Sequence, residues 1–238
     1  MKIKNIVLVI ASIILLSSCV VKSLNPFYTK ETISFDKKFI GEWIDSKKGK
    51  WKVVKSSDVL FENNKKKLDT AYSKGKIDIK IKATKTNLSE EDKELYSKYK
   101  NSYFVVREYK NKKTAFLATP FKINNQAYLD FLPVEHQDDI DNLLESHSIY
   151  THSLVKYDVQ KDGKIEIRWL DEDKIQRLFE EKKIKIKHET TGMLNDKYLL
   201  TASSKDLQKF IKKYMASNDS EKWKTSTKFT LSKINATK

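Results

Sequence analysis

The sequence predicts a mainly β fold of the α+β class: an antiparallel, curved sheet or barrel with amphipathic helices on its flank. Three features carry the expectation. Apolar and charged residues alternate with period two over long stretches, the mark of strands that bury one face. Short turns rich in Asn, Asp and Gly separate neighbouring stretches, as in hairpins. The clear 3.6-period apolar stripes come late in the chain, so helices pack beside the sheet instead of alternating with its strands.

Residues 19–36 read as a tether that docks: Asn25-Pro26 signals a turn, but Phe27, Tyr28, Ile33 and Phe35 are too apolar for a free linker. One domain then occupies residues 37–238, opening with a first strand at Phe39-Ile40-Gly41-Glu42-Trp43. Residues 76–82 form the plainest strand, with Ile77, Ile79 and Ile81 on one face and charges on the other. Helix 90–99 follows a Ser89 cap. Strands 102–109, 114–123 and 126–132 make a meander turning at Asn111-Lys112-Lys113 and at Asn124-Asn125, and 138–145 is a short helix. A second hairpin joins 148–159 to 164–170 around Asp162-Gly163. Helix 171–183 buries Ile175, Leu178 and Phe179, and Asp171-Glu172-Asp173 supplies the negative charge a helix N-terminus favours. Ser203 caps helix 204–217, whose stripe is Leu207, Phe210, Ile211, Tyr214 and Met215. Residues 223–231 form a last strand with Trp223, Phe229 and Leu231 on one side.

The formal charge is +15, carried almost wholly by lysine, with arginine only at 107, 168 and 177. Recognition of nucleic acid favours arginine, whose fork pairs phosphates and bases in a bidentate way. Scattered lysines suit a solvated surface or anionic lipid, and no nucleic-acid partner is expected. No cofactor is expected either. With five glycines in the chain, no phosphate-cradling loop is present, nor a nucleophile elbow or zinc-protease helix.

The N-terminus is a leader. Lys2 and Lys4 precede an uncharged apolar run from Ile6 to Leu16, broken only by Ser12. Eleven helical residues span roughly 16 Å, about half of a bilayer's hydrocarbon core, which fits a signal peptide and not a permanent span. Leu16-Ser17-Ser18-Cys19 resembles the lipobox of bacterial lipoproteins, and Cys19 is the only cysteine. The resemblance implies removal of residues 1–18 and diacylglyceryl transfer to the Cys19 thiol. It also implies acylation of the new amine with palmitate-like chains and membrane anchoring. Two or three chains hold far more firmly than one, at roughly 0.8 kcal/mol per buried methylene. Loss of Lys2 and Lys4 leaves +13 on the mature chain, which has no thiol for a disulfide. Surface-exported lipoproteins of some bacteria carry acidic residues after the cysteine; Val20-Val21-Lys22-Ser23 has none, which implies the periplasmic face of the outer membrane.

Ser23-Leu24-Asn25-Pro26-Phe27-Tyr28-Thr29, the Gly41-x-Trp43 strand, Tyr128-Leu129-Asp130-Phe131 and the stretch 200–208 together resemble a family of uncharacterised bacterial lipoproteins, which carries no assigned activity. Gly41-x-Trp43 is also similar to the opening of lipocalins, whose tryptophan plugs the closed end of an eight-stranded barrel. That likeness implies a plug or ligand-contact role for Trp43, its ring covered by Arg168 or by a lysine near the C-terminal strand.

Chemistry-bearing clusters are few. His147 and His152 are five apart in an expected strand, so they face opposite ways and do not chelate together. The carboxylates of 135–141 lack the glycine and spacing of a calcium loop and are expected to pair with lysines. Aromatics crowd the meander, either lining a cavity or packing against the stripe of helix 204–217. The expected function is noncatalytic binding of an apolar ligand or an envelope component by a lipid-anchored protein. An envelope protein–protein interaction module is the alternative, and a hydrolytic enzyme a more distant one.

Overall fold

Residues 20–60, 90–134, 149–192 and 197–234 are described by the structure, a computed structural model. The lipobox residues Leu16, Ser17, Ser18 and Cys19, the strand expected at 76–82, Ser89, the helix expected at 138–145, His136, His147 and the acidic stretch 135–141 lie outside the described residues.

Eight strands close on themselves. In chain order they are β2 (Gly41–Asp45), β3 (Lys50–Lys55), β4 (Tyr103–Tyr109), β5 (Lys112–Ile123), β6 (Gln126–Pro133), β7 (His152–Val159), β8 (Ile165–Trp169) and β11 (Lys228–Lys233). Each pairs antiparallel with the next, and β11 fits between β8 and β2 to complete the barrel. A second group, β1 (Lys22–Ser23), β9 (His188–Thr191) and β10 (Lys197–Leu200), extends the sheet from β7: β1 runs antiparallel to β7 and parallel to β10. The described helices are α1 (Ser56–Leu60), α2 (Glu90–Tyr99), α3 (Glu172–Glu180) and α4 (Ser204–Ala216).

Alternation along the strands sets the inward row. The pairs Trp43–Trp51, Val53–Val105, Tyr103–Ala118, Ala118–Phe131, Leu129–Val155 and Ile167–Phe229 lie opposite each other and belong to one buried cluster. An eight-stranded barrel is just wide enough for side chains to fill. Aromatic rings fill this one in a continuous belt: Phe116 to Phe131 at 5.4 Å, Phe131 to Trp169 at 5.2 Å, Trp169 to Phe229 at 6.0 Å and Phe229 to Trp51 at 5.6 Å. Ala118, between Tyr103 and Phe131, is the small residue that gives two rings their room. Aromatics of the meander therefore line no lumen cavity among the described residues; they divide between this core and the outer face, where Phe121 and Tyr128 stack at 5.5 Å.

Asp45 locks one end of the barrel. Its buried carboxylate accepts bonds from Lys47 N (2.8 Å), Gly49 N (2.7 Å), Trp51 Nε1 (2.8 Å) and Arg107 Nε (2.9 Å). Burial would raise its pKa, but the bonds from Trp51, Gly49, Arg107 and Lys47 outweigh burial and hold it below the ordinary carboxylate value. Gly49 is required there: a Cβ would stand 2.5 Å from Asp45 Oδ2 and 2.7 Å from an Arg107 amine, atoms already fixed by that network.

An outer layer covers β5, β6 and β7. Residues 20–34 run across it, pinned by the Val20–Asp171 bridge, by Leu24 N to Leu200 O (3.0 Å), by Asn25 Nδ2 to Ala202 O (3.0 Å) and by Ser34 N to Pro120 O (2.9 Å). That last contact covers the stretch of β5 that runs past the end of β4, where Pro120 has no N–H to leave unpaired. Helix α4 lays Leu207, Phe210, Ile211 and Tyr214 on the same layer, with Ser203 capping Asp206 N as expected.

Three details differ from expectation. The β4–β5 turn is Lys110-Asn111, with φ of 51° and 62°, and the strand already includes Lys112 and Lys113; two successive left-handed residues match the twist of a tight hairpin. Strand β7 starts at His152. The last strand starts at Lys228, because Trp223 leaves the sheet to pack on Tyr128, Tyr214 and Met215 in the outer layer.

Replacing Asp45 with Ala strands Arg107 and three N–H groups, and is expected to cost about 3–5 kcal/mol in denaturant unfolding. Because the carboxyl's pKa is lowered by folding, its contribution is full above the ordinary value of 3.8 and is lost as pH falls through the depressed one. Acid titration of stability should accordingly show a shallower loss below pH 4 in Asp45→Asn than in the native protein.

Candidate functional site

Between β8 and β11 the chain leaves the barrel and builds a groove. Asp171 opens α3 by accepting from Lys174 N at 3.0 Å, and the helix turns Ile175, Leu178 and Phe179 towards the outer layer. Lys182, at φ 56°, stops it: Lys182 N and Lys183 N both reach back, to Phe179 O and Leu178 O, each at 2.9 Å. Residues 183–187, Lys-Ile-Lys-Ile-Lys, then continue without regular secondary structure, with Ile184 and Ile186 half-buried and the lysines exposed. Helix α4 forms the facing wall.

The space enclosed is about 870 Å³. Leu178, Ile184, Ile186, Ala202, Phe210 and Tyr214 give it an apolar lining, while Lys182, Lys183, Lys185, Lys187, Lys209 and Lys213 bring ammonium groups to it. Its two acids are engaged: Asp206 with Lys209 and Ser203, and Asp219 with Lys174. Lys183 pairs with Glu181 at 2.7 Å. Lys182, Lys185, Lys187 and Lys213 have no ion pair among the described residues. Across the 182–187 ribbon lies a shallower hollow of about 560 Å³, walled by Phe179, His188 and Tyr198, with Phe179 and Tyr198 stacked at 4.8 Å.

Trp43 lies far from such a role. It is buried in the barrel core, its Nε1 donating to Phe39 O at 2.9 Å, with the 3-10 turn Lys37–Phe39 folded over that end. Lys233 Nζ stands 5.7 Å from its ring, the cation that a C-terminal strand was expected to supply; Arg168 bonds Glu166 instead.

His152 is likewise engaged. Its Nδ1 is 2.6 Å from Asp130 Oδ1, and Asp130 Oδ2 accepts from Phe27 N at 2.7 Å. Burial raises the Asp130 pKa, against the opposing pull of His152 and Phe27 N. A carboxylate–imidazole pair is a familiar catalytic element, but Asp130 is buried beneath residues 20–34, where its bonds fasten that segment to β6. Among the described residues no three His, Cys, Asp or Glu side chains converge as metal ligands. None of the described helices is long and apolar enough to cross a membrane.

The apolar stripes of α3 and α4 were both legible in sequence, yet the groove between them was not. Lys183-Ile184-Lys185-Ile186-Lys187 repeats the alternation read at 76–82, which is the signal that could have marked the ribbon. Comparison of the chain with known protein families, curated proteins and solved structures returns no match.

Two substitutions test what Trp43 and Asp130 do. Trp43→Ala should cost about 3–5 kcal/mol in denaturant unfolding, as large buried aromatics do. Asp130→Ala leaves the buried Phe27 N–H without its acceptor, and hydrogen exchange should show residues 20–34 opening while the barrel strands stay protected.

Proposed function

We propose that this chain is a lipid-anchored, noncatalytic binding protein of a bacterial envelope, and that it takes an apolar ligand in the groove between α3, the 182–187 ribbon and α4. The groove is the observation that carries the reading. Its volume of about 870 Å³ falls within the range of roughly 300–1,000 Å³ usual for ligand sites, and its lining joins an apolar floor to a rim rich in lysine. The barrel serves as scaffold, since its interior is occupied by its own rings.

Anchoring through acyl chains on Cys19 rests on the lipobox-like residues Leu16, Ser17 and Ser18 and on the apolar leader before them. The periplasmic face of the outer membrane is the proposed location, from the absence of acid in Val20-Val21-Lys22-Ser23.

Solvent extraction and mass spectrometry of the purified protein tests the ligand. A stoichiometric hydrophobic molecule is expected, and Ile186→Glu, which sets a carboxylate into the floor at a half-buried ribbon position, should abolish its retention while the thermal transition is kept. Protein that returns no such molecule, and fails to take up added fatty acid, diacylglycerol or phospholipid, would refute the binding reading. For the anchor, Cys19→Ala should remove labelling by radioactive palmitate and release the chain from the membrane fraction.

A further inference from the structure

We infer that the groove selects an amphiphile with an anionic head, namely an anionic phospholipid drawn from the bilayer to which the protein is attached. The inference rests on the proposed apolar site and anchor and adds the head group and its source.

Charge supplies the first part. A ligand held only by apolar contact needs no cations near it, and six ammonium groups crowded beside one groove repel one another. Acids answer only two of the six, Asp206 pairing with Lys209 and Glu181 with Lys183, while Asp219 is taken by Lys174. Lys182, Lys185, Lys187 and Lys213 line this groove with no ion pair among the described residues, and the three on the ribbon border the smaller hollow across it as well. The ribbon thus brings both kinds of side chain to the groove: Ile184 and Ile186, half-buried, offer contact to acyl carbon, and Lys185 and Lys187, exposed, offer charge to a phosphate at its rim. Lysine near an anionic lipid surface contributes about 1 kcal/mol each at moderate salt.

Position supplies the second part. Val20, the residue after Cys19, is bridged to Asp171, the cap of α3. One turn further on, roughly 5 Å along the helix at 1.5 Å per residue, Lys174 pairs with Asp219 in the groove wall. The chain between lipidated residue and groove therefore has almost no slack, and the site opens close to the bilayer that holds the anchor. A soluble anion offers no comparable reason for an apolar floor.

Native mass spectrometry of the full-length mature protein in non-ionic detergent tests this. The protein is incubated with equal amounts of phosphatidylglycerol, phosphatidylcholine and diacylglycerol. Phosphatidylglycerol adducts should exceed phosphatidylcholine adducts about tenfold, and the excess should shrink as salt is raised. Lys185→Gln and Lys187→Gln remove exposed, unpaired charges and leave the floor intact. Each should lower phosphatidylglycerol occupancy about fivefold while diacylglycerol occupancy stays at its native level. Equal occupancy by all three lipids, unchanged in the double variant, would overturn the head-group inference and leave the apolar reading standing. Failure of every lipid to bind would remove both. Inorganic phosphate alone, assayed by calorimetry, is expected to show no binding at millimolar concentration; tight phosphate binding lost in the double variant would mark a free-anion site and overturn the lipid assignment.

Discussion

Closure of the barrel between β11 and β2 is the constraint on which the rest of the structure depends. A strand edge left open exposes a row of unpaired N–H and C=O groups, and a ring of strands removes the edge. Here the seven strands from β2 to β8 follow one another in the chain, but the eighth is supplied by residues 228–233 after a long excursion. The excursion begins at the end of β8 and returns to the start of β11, and between those points it packs on the outer layer over β5, β6 and β7. Helices α3 and α4, strands β9 and β10 and the lysine ribbon lie together for that reason.

The barrel's own chemistry is defensive. Asp45 gathers four donors, and Trp43 donates its Nε1 to Phe39 O within the core, so these buried polar groups are partnered. The belt from Phe116 to Trp51 leaves no role for the lumen beyond packing. A scaffold so filled is a rigid wall against which a second layer can be built, and the groove of about 870 Å³, with apolar lining and unpaired charge, lies in that second layer.

Much of the fold was legible because period-two alternation reports directly on burial. Leu129 and Phe131 were assigned one face and Tyr128 and Asp130 the other, and the barrel core holds the first pair while the outer layer holds the second. Ser203 and Asp171 announced the starts of α4 and α3 by local cap chemistry. What escaped was non-local. The four-residue strands β9 and β10 carry weak patterns, and β10 earns its place by pairing with two-residue β1, more than 170 positions away. Trp223 alternates in phase with Phe229 and Leu231, and only the outer layer's aromatic cluster pulls it from the strand. The groove needed both effects at once: two legible helices, and a ribbon between them whose partner walls are far apart in sequence.

Separation in sequence also orders events in time. Ser23 pairs with His152 and contacts Leu200, and Val20 contacts Asp171, so the first described residues find their partners only after about 130 to 180 more have been made. Contacts of such span form late, because the loop must close before they reward it. In a growing chain Ile33, Ser34 and Phe27 can meet Phe121, Pro120 and Asp130 well before Val20 can meet Asp171. The segment therefore closes from its far end backwards, and its first residues are the last to be held against the body.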